Sequence, residues 1–150
     1  MNRLFNILTT LFLIALFASC SAKKSEPWNQ EQLMPPEELA GIIKDSAAAK
    51  PLVVCIGPGA LIKGSVDVGQ TGEEPNLEKL RGLLAEEDRD KAIVLYCGCC
   101  PFEKCPNIRP AFTLLNDMKF TNHRLLNLSN NLKTDWIEKG YPVEDLTALD

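Results

Sequence analysis

"KAIVLYCGCCPFEKCPNIRPAFTLLNDMKF", residues 91–120, is the stretch on which the fold turns. After Lys91 comes a short, unbroken apolar run ending at Cys97, the pattern of a strand buried on both faces. From residue 107 onward the segment reads as a helix. Asn107 can cap it, and Pro110 is tolerated in a first turn, where a missing N–H would have no partner anyway. Between strand and helix lies a loop stiffened by Pro101 and Pro106. Four of the chain's six cysteines fall in it: Cys97, Cys99, Cys100 and Cys105.

Working outward, the same alternation repeats. Residues 35–49 carry Leu39, Ile42 and Ile43 at helical spacing behind Pro and Glu, as helix starts prefer. Residues 51–56, "PLVVCI", form a second buried strand, with Cys55 inside it as a small hydrophobe. Turn-rich sequence then encloses at most a short strand at 65–68. Residues 76–88 place Leu77, Leu80, Leu83 and Leu84 on one helix face, with Asn76 as the expected N-cap. The acidic run 86–88 reads as a solvated helix end, and "GPG" at 57–59 as a turn. A third strand is expected at 123–129 and a last helix at 130–140, ended by Gly140. Strands alternating with helices imply a single α/β domain: a mostly parallel central sheet with helices on both faces. Such sheets bind ligands at the carboxyl ends of their strands, and the cysteine loop hangs from one.

The chain of 150 residues begins with a secretory layout. Arg3 precedes an apolar run at 7–17, which is shorter than the ~20 residues a spanning helix needs. Ala18 and Ser19 lead to Cys20. This resembles the lipobox of bacterial lipoproteins, with Phe17 where Leu is usual. The resemblance implies a signal peptide at 1–19, acylation of Cys20, and a chain exported and lipid-anchored at a bacterial membrane, facing periplasm or cell exterior. Residues 20–34 then read as a polar tether, 35–144 as the domain and 145–150 as a tail. In the tether, Trp28 is left to cover the domain edge or to touch the membrane surface. The formal charge is −4, and losing a leader whose only charge is Arg3 makes it −5. A mildly acidic chain without a basic run argues against nucleic acid as partner.

Exported proteins keep disulfides, yet four thiols in one loop are not a scaffold joining distant segments. A local chemical role is favoured. A thiol at a helix N-terminus loses its proton more readily than the free value of about 8.5 would allow, and Cys97 is expected under a ring of loop amides. The one histidine, His123, is expected on the surface, which argues against a cysteine–histidine dyad. Lys104 and Arg109 are the cations nearest in sequence, and both are candidates to hold an anionic substrate and to favour the thiolate.

"IVLYC" followed by loop and helix resembles the active-site segment of the rhodanese-like family. "FTNHRLLNLSNNLKTDWIEKGYPV", residues 120–143, is similar to that family's closing pattern, including its packed tryptophan at Trp136. "PPEELAGII" (35–43) and "IKGSVDVG" (62–69) are similar to its earlier elements. The resemblance implies a rhodanese-like single domain and makes Cys97 a sulfur carrier. The cysteine would take sulfane sulfur from a small anion such as thiosulfate and pass it to a thiol acceptor, with no cofactor. The chain also departs from the pattern. "CIGPG" (55–59) lacks the Asp and Arg that usually follow the first strand. The cysteine loop is longer than the family's, and Cys97 to Arg109 is C-x11-R rather than the C-x5-R of the related phosphatases.

Three readings of Cys99, Cys100 and Cys105 stay open at this level. One of them resolves the Cys97 persulfide as a disulfide. Or the C-x-C-C-x4-C set binds Cu(I) or zinc without sulfur transfer, although its spacing is not that of a zinc ribbon. Or a disulfide shapes the loop, with Cys105 a more plausible partner than the neighbouring pair, and the domain acts as a redox or binding module.

Overall fold

The structure is a computed structural model, and it describes residues 25–145. The proposed leader, Cys20 and most of the C-terminal tail lie outside the described residues. No helix among the described residues is long and apolar enough to cross a membrane.

Five strands form one sheet, all parallel. They are β1 (Leu33–Met34), β2 (Leu52–Cys55), β3 (Val66–Asp67), β4 (Ile93–Tyr96) and β5 (His123–Leu126), in the order β1-β5-β4-β2-β3. Three α-helices connect them: α1 (Pro36–Lys44), α2 (Glu74–Leu84) and α3 (Ile108–Asp117). Crossovers between parallel strands are right-handed. The chain moves one way along the sheet through α1 and the other way through α2 and α3, so α1 must cover one face and the other two the opposite face.

The core is divided accordingly. Along β4, Ile93, Leu95 and Cys97 pack with Leu80 and Leu84 of α2 and Ile108, Phe112 and Leu115 of α3. Val94 and Tyr96 point the other way, toward Leu39 of α1 and Trp136. Every residue of β4 is buried, as its unbroken apolar run requires. Fixing about 1–2 kcal/mol of backbone entropy per residue is offset by such two-sided burial, worth roughly 1.5–3 kcal/mol per large apolar side chain.

Several sequence expectations are corrected. Residues 25–34 are not merely a tether. They form a short 3-10 turn capped by Asn29 and then β1, which pairs with β5. Trp28 settles on the domain, with ring centroids 6.2 Å from Phe102 and 5.7 Å from Phe112. Helix α2 begins two residues before Asn76, because Pro75 favours the first turn. Asn76 therefore sits inside the helix and bonds back to Gln70 and Glu73. The last helix is a π-helical turn, Lys133–Ile137, carrying the buried Trp136, whose Nε1 donates to the Pro142 carbonyl at 2.9 Å. Gly140 ends it with φ +68°. His123 is 4% exposed and packs at a tilt against Phe112, with ring centroids 4.5 Å apart, so it is a core residue and not a surface one. Cys55 and Trp136 are fully buried, as the sequence implied.

Candidate functional site: a cluster of four thiols

The chain leaves β4 at its carboxyl end and turns into the cysteine loop. Four neighbouring segments hold that loop. The Phe102 N–H donates to Leu128 O at 3.0 Å, and the Leu132 N–H donates to Gly98 O at 3.0 Å. Gly98 lies so close to Leu132 that an added Cβ would stand 3.0 Å from the leucine Cβ. A short 3-10 turn, Phe102–Lys104, buries Phe102 beneath Trp28. After β3, the Thr71 hydroxyl donates to Asn107 O at 2.7 Å, and the Gly72 N–H donates to Asn107 Oδ1 at 2.9 Å. The turn after β2 brings Gly57 against Cys97. A Cβ at Gly57 would lie 2.6 Å from the Cys97 sulfur, so only glycine admits the thiol here.

The four loop cysteines converge. Their sulfurs all lie within 4.8 Å of one another. Cys97 and Cys105 are buried, Cys100 is half-buried and Cys99 is exposed. The Cys97 and Cys99 sulfurs are 3.5 Å apart, and those of Cys99 and Cys100 are 3.4 Å apart. All five described cysteines are free thiols. Cys55 sits apart, its thiol turned to the carbonyls of Gly57 and Gly59.

Asn107 is the site residue that sequence reasoning missed. It was expected to cap α3, but its side chain makes no capping bond. With its oxygen held by Gly72, its Nδ2 donates to the Cys97 sulfur at 3.7 Å. A polar residue just before a helix is ordinarily read as a cap, and nothing local in the sequence marks it as facing a thiol ten residues earlier.

These donors act on Cys97 together. The Cys105 thiol, then the Cys99 backbone N–H, the Asn107 amide and the Cys99 thiol all favour the thiolate, and burial opposes them. The balance pulls Cys97 below the usual thiol range, to about 5. The neighbours shift the opposite way. Cys105 is pushed up by its bond to Cys97 and by burial. Cys99 is pushed up to about 12, by burial first and then by its contacts with Cys100 and Cys97. Within the cluster the thiolate is thus favoured at Cys97 and disfavoured at Cys99 and Cys105. The expected ring of loop amides is reduced to the Cys99 N–H, and side chains supply the other bonds.

The two candidate cations are placed differently from the thiols. Arg109 lies in the first turn of α3, as expected, and its guanidinium is engaged by groups other than the thiols. It donates to Glu26 at 2.7 Å and to Glu103 O at 2.9 Å, and it stacks over Trp28 at 5.5 Å. Lys104 is exposed and lines a surface groove with Trp28, Phe102 and Glu103.

Comparison with known proteins adds no family to this geometry: no family model matches the chain, and no curated protein matches it. A buried thiolate beside other thiols can attack a sulfane sulfur, exchange with a disulfide, or bind a thiophilic ion.

Proposed function

We propose that the chain is an exported, lipid-anchored sulfur carrier of the rhodanese-like kind, with Cys97 as its nucleophile. One observation carries the reading. Cys97 stands at the carboxyl end of the central strand, facing the start of α3, with its sulfur bonded by Asn107 and a second thiol 3.5 Å away. That is where parallel sheets place reactive groups, and the bonds favour a thiolate.

The chemistry balances without a cofactor. The Cys97 thiolate attacks the outer sulfur of thiosulfate. The S–S bond of the donor breaks, sulfite leaves with the electron pair, and Cys97 holds a persulfide anion. An acceptor thiolate then attacks the outer sulfur, takes it as its own persulfide and regenerates the Cys97 thiolate. In the resolving branch, Cys99 or Cys105 attacks the inner sulfur instead. Hydrosulfide leaves, and a disulfide remains for an external dithiol to reduce. The Asn107 amide and the Cys99 N–H stabilise the anionic sulfur in each state.

The test uses the reduced full chain and thiosulfate. Intact mass should rise by one sulfur atom, and Cys97→Ser should abolish the gain. Cys105→Ser should lower turnover with reductants more than it lowers loading. Full loading in Cys97→Ser, with loss in Cys99→Ser or Cys100→Ser, would identify a different nucleophile. Anchoring is tested separately. A block of lipoprotein processing, or Cys20→Ala, should leave unprocessed, unlipidated protein. If neither changes size or membrane association, the chain is not anchored through Cys20.

A further inference from the structure

Persulfide chemistry needs one nucleophile and at most one resolving thiol, yet four sulfurs converge. Their spacing has a second meaning. Sulfurs about 2.3 Å from a central zinc-sized ion stand roughly 3.8 Å apart at the corners of a tetrahedron. The Cys97–Cys99 and Cys99–Cys100 separations are 3.5 and 3.4 Å, and no pair of the four exceeds 4.8 Å. Opening the short contacts by a few tenths of an ångström, and closing the longest by roughly 1 Å, completes a four-sulfur shell.

We propose that Cys97, Cys99, Cys100 and Cys105 bind one soft d10 cation, zinc(II) or copper(I). This stands on the four-sulfur geometry and not on the sulfur-transfer reading. Thiolate sets select these ions over magnesium or calcium. The surroundings also suit a metal–thiolate centre. Outer-shell N–H groups orient ligands and tune the metal, and the Asn107 Nδ2 already points at the Cys97 sulfur at 3.7 Å. The start of α3 adds the partial positive charge of a helix N-terminus, which offsets anionic sulfurs. Cys97 and Cys105 supply a buried floor, while exposed Cys99 and half-buried Cys100 give an ion a way in. Each thiol that becomes a ligand releases its proton, and no oxidant or reductant is needed. Because Cys97 is shared, a bound cation and a sulfane sulfur exclude each other.

The experiment uses the full chain, reduced and handled without oxygen. Cobalt(II) serves as the spectroscopic probe for zinc, and copper(I) is delivered against a competing chromogenic chelator. The expected result is one cation per chain. With cobalt it should bring intense thiolate-to-metal charge-transfer bands and the visible bands of a tetrahedral site. Cys99→Ser, Cys100→Ser and Cys105→Ser should each weaken affinity by more than the ~10–100-fold that losing an outer-shell partner costs. Cys55→Ala and Cys20→Ser should leave it unchanged. Cobalt without tetrahedral bands but with tight copper assigns the site to copper(I); the reverse assigns it to zinc(II). Failure of both ions to bind at one per chain overturns the proposal, as does affinity unchanged in Cys99→Ser and Cys100→Ser. Sulfur loading from thiosulfate, read by mass on the metal-free samples, stands or falls independently.

Discussion

The Asn107 amide and the Cys97 sulfur are 3.7 Å apart across the start of α3, and the asparagine is held there by Gly72 and Thr71. That pair couples the loop after β3 to the thiol at the end of β4. Asn107→Asp keeps an oxygen for the Gly72 N–H but turns a carboxylate toward the thiolate. A hydrogen bond to a charged group is worth about 1.5–3 kcal/mol, so persulfide loading should fall by roughly ten-fold or more. Because Asn107 is buried, the carboxylate should also lower the melting temperature, and Asn107→Asp is therefore read by loading relative to stability. Equal loss of loading and stability would make Asn107 merely structural.

Gly57 makes room for the same sulfur. Gly57→Ala would set a Cβ 2.6 Å from Cys97 Sγ. Overpacking of this kind typically costs about 1–3 kcal/mol, and here it should also displace Cys97 and suppress loading. Gly41→Ala is the control. It lies within α1 with nothing within 4 Å of its would-be Cβ, and it should stabilise by roughly 0.5–1 kcal/mol. Chemical denaturation of the two variants checks both signs.

Trp28 belongs to the fold. It packs on Phe102 and Phe112. A fully buried Trp truncated to Ala costs about 3–5 kcal/mol, and this one is partly exposed, so Trp28→Ala should cost roughly 2 kcal/mol. Were residues 25–34 only a tether, denaturation midpoints of wild type and variant would coincide.

Arg109 should act on stability. Its ion pair with Glu26 is 41% exposed on both sides, and exposed pairs are worth about 0–1 kcal/mol. Arg109→Ala also loses the stack on Trp28, so a small drop in melting temperature is expected, with thiosulfate use unchanged. A selective loss of thiosulfate use, with an uncharged persulfide donor unaffected, would instead establish the anion-binding role read from the sequence.

His123 gives the fold a pH dependence. Burial lowers its pKa in the folded state, and its hydrogen-bonding partners are uncharged groups, including Asn116 Oδ1 at 2.9 Å. The unfolded chain therefore binds this proton at a higher pH than the folded one. The stability is fully present above the ordinary histidine value of about 6.5 and is lost as pH falls through the lower folded value. Unfolding free energies measured from pH 7.5 down to 5 should decline more steeply in wild type than in His123→Gln. Parallel curves would mean that His123 titrates alike in both states.

The sequence by itself determined the architecture around the cysteine loop. Leu95 and Val54 lie in apolar runs too continuous for a half-exposed strand, and only a covered parallel sheet accommodates two such runs separated by a helix. It also determined that four thiols share one loop after a buried strand, because Cys97 to Cys105 fall between the end of one apolar run and the start of the next helical pattern. Tertiary structure decided what those thiols meet. Gly57, Gly72 and Leu132 come from three other segments, and their approach to the loop depends on strand order, which local periodicity does not encode. The same holds for Trp28 and β1. A two-residue edge strand carries almost no pattern of its own, and it exists because β5 offers it unpaired backbone groups. Arg109 was legible as a first-turn cation. Its direction was not, since Glu26 and Trp28 reach it only once the N-terminal segment has folded back across the loop.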